Sequence, residues 1–298
     1  RQMCIRDRDK GMMPRIVKPW DVIGHLTSDI AEQTGLRSGI PICGGAGDTM
    51  QSMLGCGMFH PGMAADIAGT CAMFCVSTDG IVPDLSVPGK GLIFNSGSLD
   101  DSYFYWGFIR TGGLSLRWFR DDVCGGSIGY DELSDSAKDV PPGCGGVTFL
   151  PYLTGGYGDE SDASGSFLNM TLDTDRATLW RSVLEAIGYD YIGVTDEYRA
   201  AGVDLGRITI AEGGSADDVW NKIKSDMIGS DAVVMRTRGG AVLTNCAMAS
   251  YAVGDCSDLI GTLSDAAEVD RSFSPDPETT RLYRSLYDSR REVMSRIC

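Results

Sequence analysis

At 298 residues the chain can bury a sizeable core, as one large domain or two ordinary ones. Hydrophobic residues make up 43% and charged residues 22%, the balance of a soluble globular protein, with no apolar run of bilayer-spanning length and no signal-peptide core at the start. The net charge of −15 argues against a general nucleic-acid surface, which needs clustered Lys and Arg, but leaves room for a nucleotide held through backbone dipoles.

Residues 1–10 begin without an initiator methionine and carry no periodicity, so they read as a truncated or non-native start and the chain as a fragment. Ser28 to Gly35 is expected to be a short helix, Ser28 its N-cap and Gly35 its stop. Ile40-Pro41-Ile42-Cys43 follows as a strand near an edge. It runs into Gly44-Gly45-Ala46-Gly47-Asp48-Thr49, which puts Asp48 between a strand end and a helix from Thr49 to Leu54. An acid there either acts on a ligand at the strand ends or caps the helix.

Met63 to Cys71 and Ala72 to Val76 are two apolar runs broken by Gly69-Thr70, a hairpin signal. The Thr70 hydroxyl could donate to a phosphate oxygen, and an ordinary β-turn explains the same letters. Phe104 to Ile109 is a strand candidate, and Thr111-Gly112-Gly113 opens a helix with Leu114, Leu116, Trp118 and Phe119. Residues 122–146 form a polar excursion with one short helix. Phe149 to Leu153 ends a strand before a Gly-rich loop from Thr154 to Gly165. A long helix runs from about Asp175 to Ala201, its core stripe being Trp180, Val183, Leu184, Ile187 and Tyr191.

The chain is organised around Glu212-Gly213-Gly214-Ser215. It follows the β-branched run Arg207 to Ala211 and precedes a helix carrying Val219, Trp220, Ile223 and Met227 that ends near Gly229. Strand, glycines and helix start together make a place for an anion such as phosphate, or a tight structural turn. Val233 to Met235 is a further strand. Ala241 to Val253 is a helix of small residues, and a last helix begins near Pro277 with Leu282, Tyr283, Leu286 and Tyr287 inward. The ten cysteines show no CxxC spacing and read as mostly buried, reduced thiols of a cytoplasmic protein. His25 and His60 are too few for a histidine-rich metal site.

Taken in order over about residues 20–290, these segments resemble the FGGY carbohydrate kinases, which include xylulokinases, gluconate kinases and glycerol kinases. The resemblance rests on Thr34-Gly35-Leu36…Gly39-Ile40-Pro41, Gly44 to Asp48, Gly69-Thr70-Cys71 and Gly112 to Trp118. It continues through Trp180 to Ile187, Glu212 to Ser215, and the helix after Gly239-Gly240-Ala241. It implies an α/β fold of the actin-like, ribonuclease H-like kind, a mixed sheet flanked by helices, with ATP and substrate in a cleft between two domains. Residues 11–54 then match the tail of the N-terminal domain and residues 55–298 the C-terminal, nucleotide-binding domain.

The resemblance also assigns roles. Asp48 matches the general base that takes the proton of a sugar or polyol hydroxyl as it attacks the γ-phosphate of ATP, with Thr49 beside it at the substrate. Gly69, Thr70, Gly113 and Arg117 match phosphate-side positions, Gly213, Gly214 and Ser215 the loop that approaches the nucleotide, and Asp218 a position near adenine. Mg²⁺ would bridge the phosphates, no protein ligand being assigned to it. Three residues depart from the family pattern: Thr49 stands where Gln or Asn is usual, Cys71 where Ser is, and Asp218 where glycerol-kinase-like members have Asn. They imply altered sugar choice or lower activity, and Thr49 and Cys71 motivate the alternative of a non-catalytic nucleotide-binding module or pseudokinase. An actin- or chaperone-like ATPase is a third reading, while no GxGxxG pattern supports a Rossmann dehydrogenase. The favoured acceptor is a pentulose such as xylulose. The oligomeric state stays open, with a homodimer among the options.

Overall fold

The computed structural model describes residues 9–69, 72–85, 91–109, 111–155, 163–236 and 239–297. Strand β1 (Val22–His25) pairs antiparallel with β2 (Pro41–Cys43), and α1 (Ser28–Thr34) fills the connection between them. Pro41 opens its strand, where a missing N–H is tolerated. Helix α1 stops at Gly35, whose φ of 74° is the left-handed stop expected of it. Its start differs by one residue: Thr27 is the N-cap, and the Ser28 hydroxyl pairs with Ser38 instead.

Helix α2 (Asp48–Gly55) leads into the hairpin of β3 (Ala64–Ala68) and β4 (Ala72–Thr78), paired from Ala68 with Ala72 to Ala64 with Val76. Strands β5 (Leu92–Ser96) and β6 (Tyr103–Ile109) extend the sheet, and α3 (Gly112–Trp118) follows within three residues. The polar stretch contains α4 (Tyr130–Ala137), after which β7 (Thr148–Leu150) and β8 (Ser166–Leu168) form a separate antiparallel pair. Helix α5 (Arg176–Ala200) is followed by β9 (Ile208–Ala211), α6 (Asp218–Ile228), β10 (Ala232–Met235) and α7 (Gly240–Val253). The chain ends through α8 (Leu259–Ala266), β11 (Val269–Phe273) and α9 (Pro277–Ile297).

The main sheet has the order β11-β10-β9-β3-β4-β6-β5, with β3, β9 and β10 parallel and the remaining pairings antiparallel. Because β4 opposes both β3 and β6, those two strands share a direction. Four strands, β3, β6, β9 and β10, therefore end on one edge, and glycines follow each within five residues: Gly69, Gly112-Gly113, Gly213-Gly214 and Gly239-Gly240. That edge is where ligands gather in open α/β sheets.

Period-two alternation separates the two faces of the sheet. Ala64, Phe74, Val76 and Tyr105 point into the large core closed by α3 to α6 and α9, while Ala65, Ile67, Cys75 and Phe104 point to a smaller core under α2. The α5 stripe of Trp180, Val183, Leu184, Ile187 and Tyr191 is fully buried, each side chain contributing roughly 1.5–3 kcal/mol of burial. On α9 the expected inward set is corrected at Leu282, which is exposed. The adjacent Tyr283, about 100° around the helix, takes the core position and donates its hydroxyl to Glu185. The thiols are less buried than their scatter suggested: Cys56, Cys75 and Cys144 are buried, but Cys43, Cys124 and Cys256 are partly open and Cys246 is exposed. No helix among the described residues is long and apolar enough to cross a membrane.

Candidate functional site

The glycine-rich ends of β3 and β9 face the start of α3 across a cleft of about 330 Å³. Gly69 leaves β3 and accepts a hydrogen bond from the Gly113 N–H (3.2 Å), which ties the α3 N-terminus to this loop. Thr111, at a left-handed φ of 48°, makes the turn into α3 and donates its hydroxyl to the Pro151 carbonyl. On the opposite wall Gly213–Ala216 form one 3-10 turn, entered through Glu212 at φ 61°, ψ −157°, a region that glycine normally occupies. A side chain on Gly214 would stand 2.4 Å from the Ala68 Cβ and 3.1 Å from the Trp220 ring, so only glycine lets the turn lie this close to β3.

The cleft brings together Gly69, Gly113, Arg117, Gly213 and Gly214 from the expected set. Thr70 and Cys71 lie outside the described residues. Ser215 is buried and closes the turn, donating its hydroxyl to Glu212 O (2.7 Å), while its backbone carbonyl accepts from Asn221 Nδ2 (2.9 Å). Asp218 is absent from the cleft lining and is ion-paired with Arg271, which also donates to the Ser215 carbonyl (3.0 Å). Its neighbour Asp217 lines the cleft and caps α6, accepting from the N–H groups of Val219 (2.9 Å) and Trp220 (3.1 Å) and from the Ser134 hydroxyl.

Asp48 and Thr49 stand away from these walls, at the head of α2. Gly47 is the N-cap, so Asp48 is the first helical residue and not the cap. Among the described residues its exposed carboxylate accepts only from the adjacent Thr49 N–H (2.7 Å) and, more distantly, the Thr49 hydroxyl (3.5 Å). At the other end of α2, Gly55 crosses Gly240 so closely that a side chain on Gly55 would meet the Gly240 backbone at 2.3 Å. The small residues of α7 therefore seat α2 directly against it.

Ala68, Leu116, Tyr130, Asp131, Trp180, Ala216 and Trp220 complete the lining. Trp180 and Trp220 read as core from their spacing, and both are nearly fully buried while one surface of each forms the cleft wall. Tyr130 carries the Arg120 guanidinium over its ring at 4.4 Å, and burial pushes its hydroxyl pKa upward. Asp131 is exposed in the first turn of α4. No sequence pattern marked these two residues.

The model of the C-terminal domain of the FGGY family of carbohydrate kinases matches residues 64–253. The chain belongs to the FGGY family. It is 26% identical to a xylulose kinase of Staphylococcus epidermidis and 27% identical to a gluconokinase of Bacillus subtilis, each alignment covering 92% of this chain and 55% of the relative. The structure of a xylulose kinase from Rhodospirillum rubrum superposes with a TM-score of 0.81 at 25% identity, over 96% of this chain and 57% of that one. This FGGY chain thus spans about half the length of the relatives it matches. Its sheet and flanking helices are those of the actin-like, ribonuclease H-like fold that the resemblance implied.

Proposed function

We propose that the chain is the nucleotide-binding half of an ATP-dependent carbohydrate kinase that transfers the γ-phosphate of ATP to a sugar or polyol hydroxyl. The observation that carries this reading is the convergence of Gly69, Gly113 and the Gly213-Gly214 turn on one cleft at the carboxyl ends of β3 and β9. Backbone that close to a cavity suits a phosphate chain, which side chains would crowd. The aromatic and apolar end of the same cleft, Leu116, Tyr130 and Trp180, suits the base and ribose. A pentulose such as xylulose is the proposed acceptor, on the strength of the relatives named xylulose kinase.

Asp48 is the proposed general base. Its carboxylate is exposed, at a helix start, and among the described residues engaged only with Thr49, so it can accept a hydroxyl proton without breaking a contact to the described core. Thr49 is its proposed neighbour at the substrate. Residues 11–54 are proposed as the tail of a first domain and residues 55–298 as the second, with catalysis in the cytoplasm where both meet ATP. Thr70 and Asp218 stay as proposed nucleotide contacts, Asp218 through rearrangement of its ion pair with Arg271. Among the described residues no three His, Cys, Asp or Glu side chains group as a metal cage. Mg²⁺ is proposed as carried by phosphate and water, the usual mode for this ion at nucleotides. It would offset phosphate charge, and no described residue is assigned to hold it.

The test is Asp48→Asn in the full-length polypeptide, with phosphorylation of xylulose and other polyols followed by coupled ADP release. A base at this position predicts loss of about 10²–10⁴-fold in kcat with Mg-ADP affinity retained. Undiminished turnover would remove Asp48 from the chemistry. Absence of turnover in the parent with every polyol, beside intact Mg-ADP binding, would favour the non-catalytic module suggested by Thr49.

A further inference from the structure

Beneath the cleft lies an ion pair that the nucleotide reading does not use. Asp66 of β3 and Lys224 of α6 are both fully buried, with Lys224 Nζ 2.7 Å from Asp66 Oδ2. The Tyr191 hydroxyl of α5 donates to the other oxygen, Asp66 Oδ1, at 2.6 Å. The Lys224 ammonium also sits 3.6 Å from the centre of the Trp220 ring and 5.7 Å from that of Tyr191. Three elements, β3, α5 and α6, thus meet at one buried charged point.

A buried pair of this kind is weak as a source of stability, because desolvation of both ions offsets their attraction. Its position suggests a different use. Asp66 precedes Gly69 by three residues on β3, and Lys224 follows Trp220 by one helical turn on α6. Neither lines the cleft, but the groups they hold do: Ala68 and Gly69 on one side, Trp220 and Gly214 on the other. The Lys224 ammonium lies over the Trp220 ring, a Cβ on Gly214 would stand 3.1 Å from the ring, and among the described residues the indole N–H has no acceptor.

We propose that Asp66 and Lys224 are positioning residues for nucleotide binding, fixing α6 against β3 so that the Gly69 and Gly213-Gly214 backbones face one ligand over a rigid Trp220 floor. The inference rests on the cleft being the nucleotide site. It differs from a structural role in one measurable respect: loss of the pair should weaken ligand binding in a protein that remains folded.

The experiment compares the parent with Lys224→Met, Asp66→Asn, the double variant carrying both changes, and Tyr191→Phe. Melting temperature, Mg-ADP affinity by calorimetry well below melting, and the Trp220 indole ¹H–¹⁵N resonance are measured on each. The double variant removes both charges together and so leaves no lone buried ion, which each single change does. It is expected to fold, to bind Mg-ADP about tenfold more weakly, and to shift the Trp220 resonance. A folded double variant with the parent's affinity overturns the proposal. Should it fail to fold, Tyr191→Phe decides: an affinity loss of about threefold supports the proposal, and none overturns it. A parent that does not bind Mg-ADP would instead overturn the nucleotide reading, and this inference with it.

Discussion

Gly214→Ala isolates the steric logic of the cleft in one methyl group. Gly214 has no positive φ, so alanine costs nothing in backbone strain there, and the whole effect comes from space. The new Cβ would stand 2.4 Å from the Ala68 Cβ, where carbon–carbon contact is comfortable at about 3.5–4.0 Å. The turn must therefore withdraw by more than about 1 Å, since its neighbours cannot: Ala68 is held in β3 and Trp220 is pinned over Lys224. Overpacking of this kind costs about 1–3 kcal/mol, which in a chain of this size lowers the melting temperature by roughly 2–10 °C. A displacement of that size at a binding loop weakens productive contact by about 10²-fold. Gly213→Ala is the control, because its Cβ would meet nothing closer than the Ala68 carbonyl at 4.0 Å. It should leave the melting temperature unchanged. Thermal denaturation and Mg-ADP calorimetry on both variants read the two effects. Equal melting temperatures for the two alanines, with Mg-ADP affinity intact in Gly214→Ala, would refute the reasoning.

Arg181→Met should cost about 3–5 kcal/mol, because it leaves the buried Glu185 without its charged partner (Nε to Oε1, 2.9 Å). Burial already holds the Glu185 carboxyl above its ordinary range, and loss of the arginine raises it further. The folded variant then binds a proton that the unfolded chain releases, so its stability is greatest below the unfolded pKa and falls as pH rises through the folded one. Urea titrations should show a larger deficit near about pH 8 than near about pH 5, and a deficit independent of pH would contradict this. Glu212→Gly should stabilise by about 1 kcal/mol, relief of the glycine-type backbone exceeding the added chain entropy, and a loss of stability in the same assay would dismiss the strain. Asp175→Ala should cost about 1 kcal/mol at neutral pH by removing the α5 N-cap to Thr178 (2.8 Å). The Thr178 bonds hold the Asp175 carboxyl below its usual range, so this deficit should shrink as pH falls through the folded value. A deficit that persists in acid would count against the cap.

The strand-glycine-helix transitions were legible because each rests on local physics: β-branched residues, then glycine where backbone must come close, then a periodic apolar face. They located Gly69, Gly113 and Gly213-Gly214, and the α5 stripe located the core behind them. What local pattern cannot carry is pairing between distant residues. Asp66 and Lys224 are 158 positions apart, and nothing in either segment announces the other. For the same reason Asp217 and Asp218 were indistinguishable as letters. The helix start turns Asp217 back onto the cleft wall and α6, while Arg271, supplied by β11, captures Asp218. Tyr130 and Asp131 reach the cleft only because α4 packs on α5, and their polar surroundings gave no periodicity to read. Strands β1, β5, β8 and β11 and helix α8 were not anticipated. The four strands span three to five residues with no fully buried position, too short for alternation or an apolar run of strand length to show.

The central claim is that the cleft between Gly69, Gly113 and Gly213-Gly214 holds a nucleotide. A crystal structure of the chain grown with Mg-ADP tests it most directly. The account predicts phosphate density against those glycines, with the base toward Tyr130 and Asp131. Nucleotide bound elsewhere, such as the cavity beside Glu185 and Arg290, with this cleft vacant at saturating Mg-ADP, would contradict it.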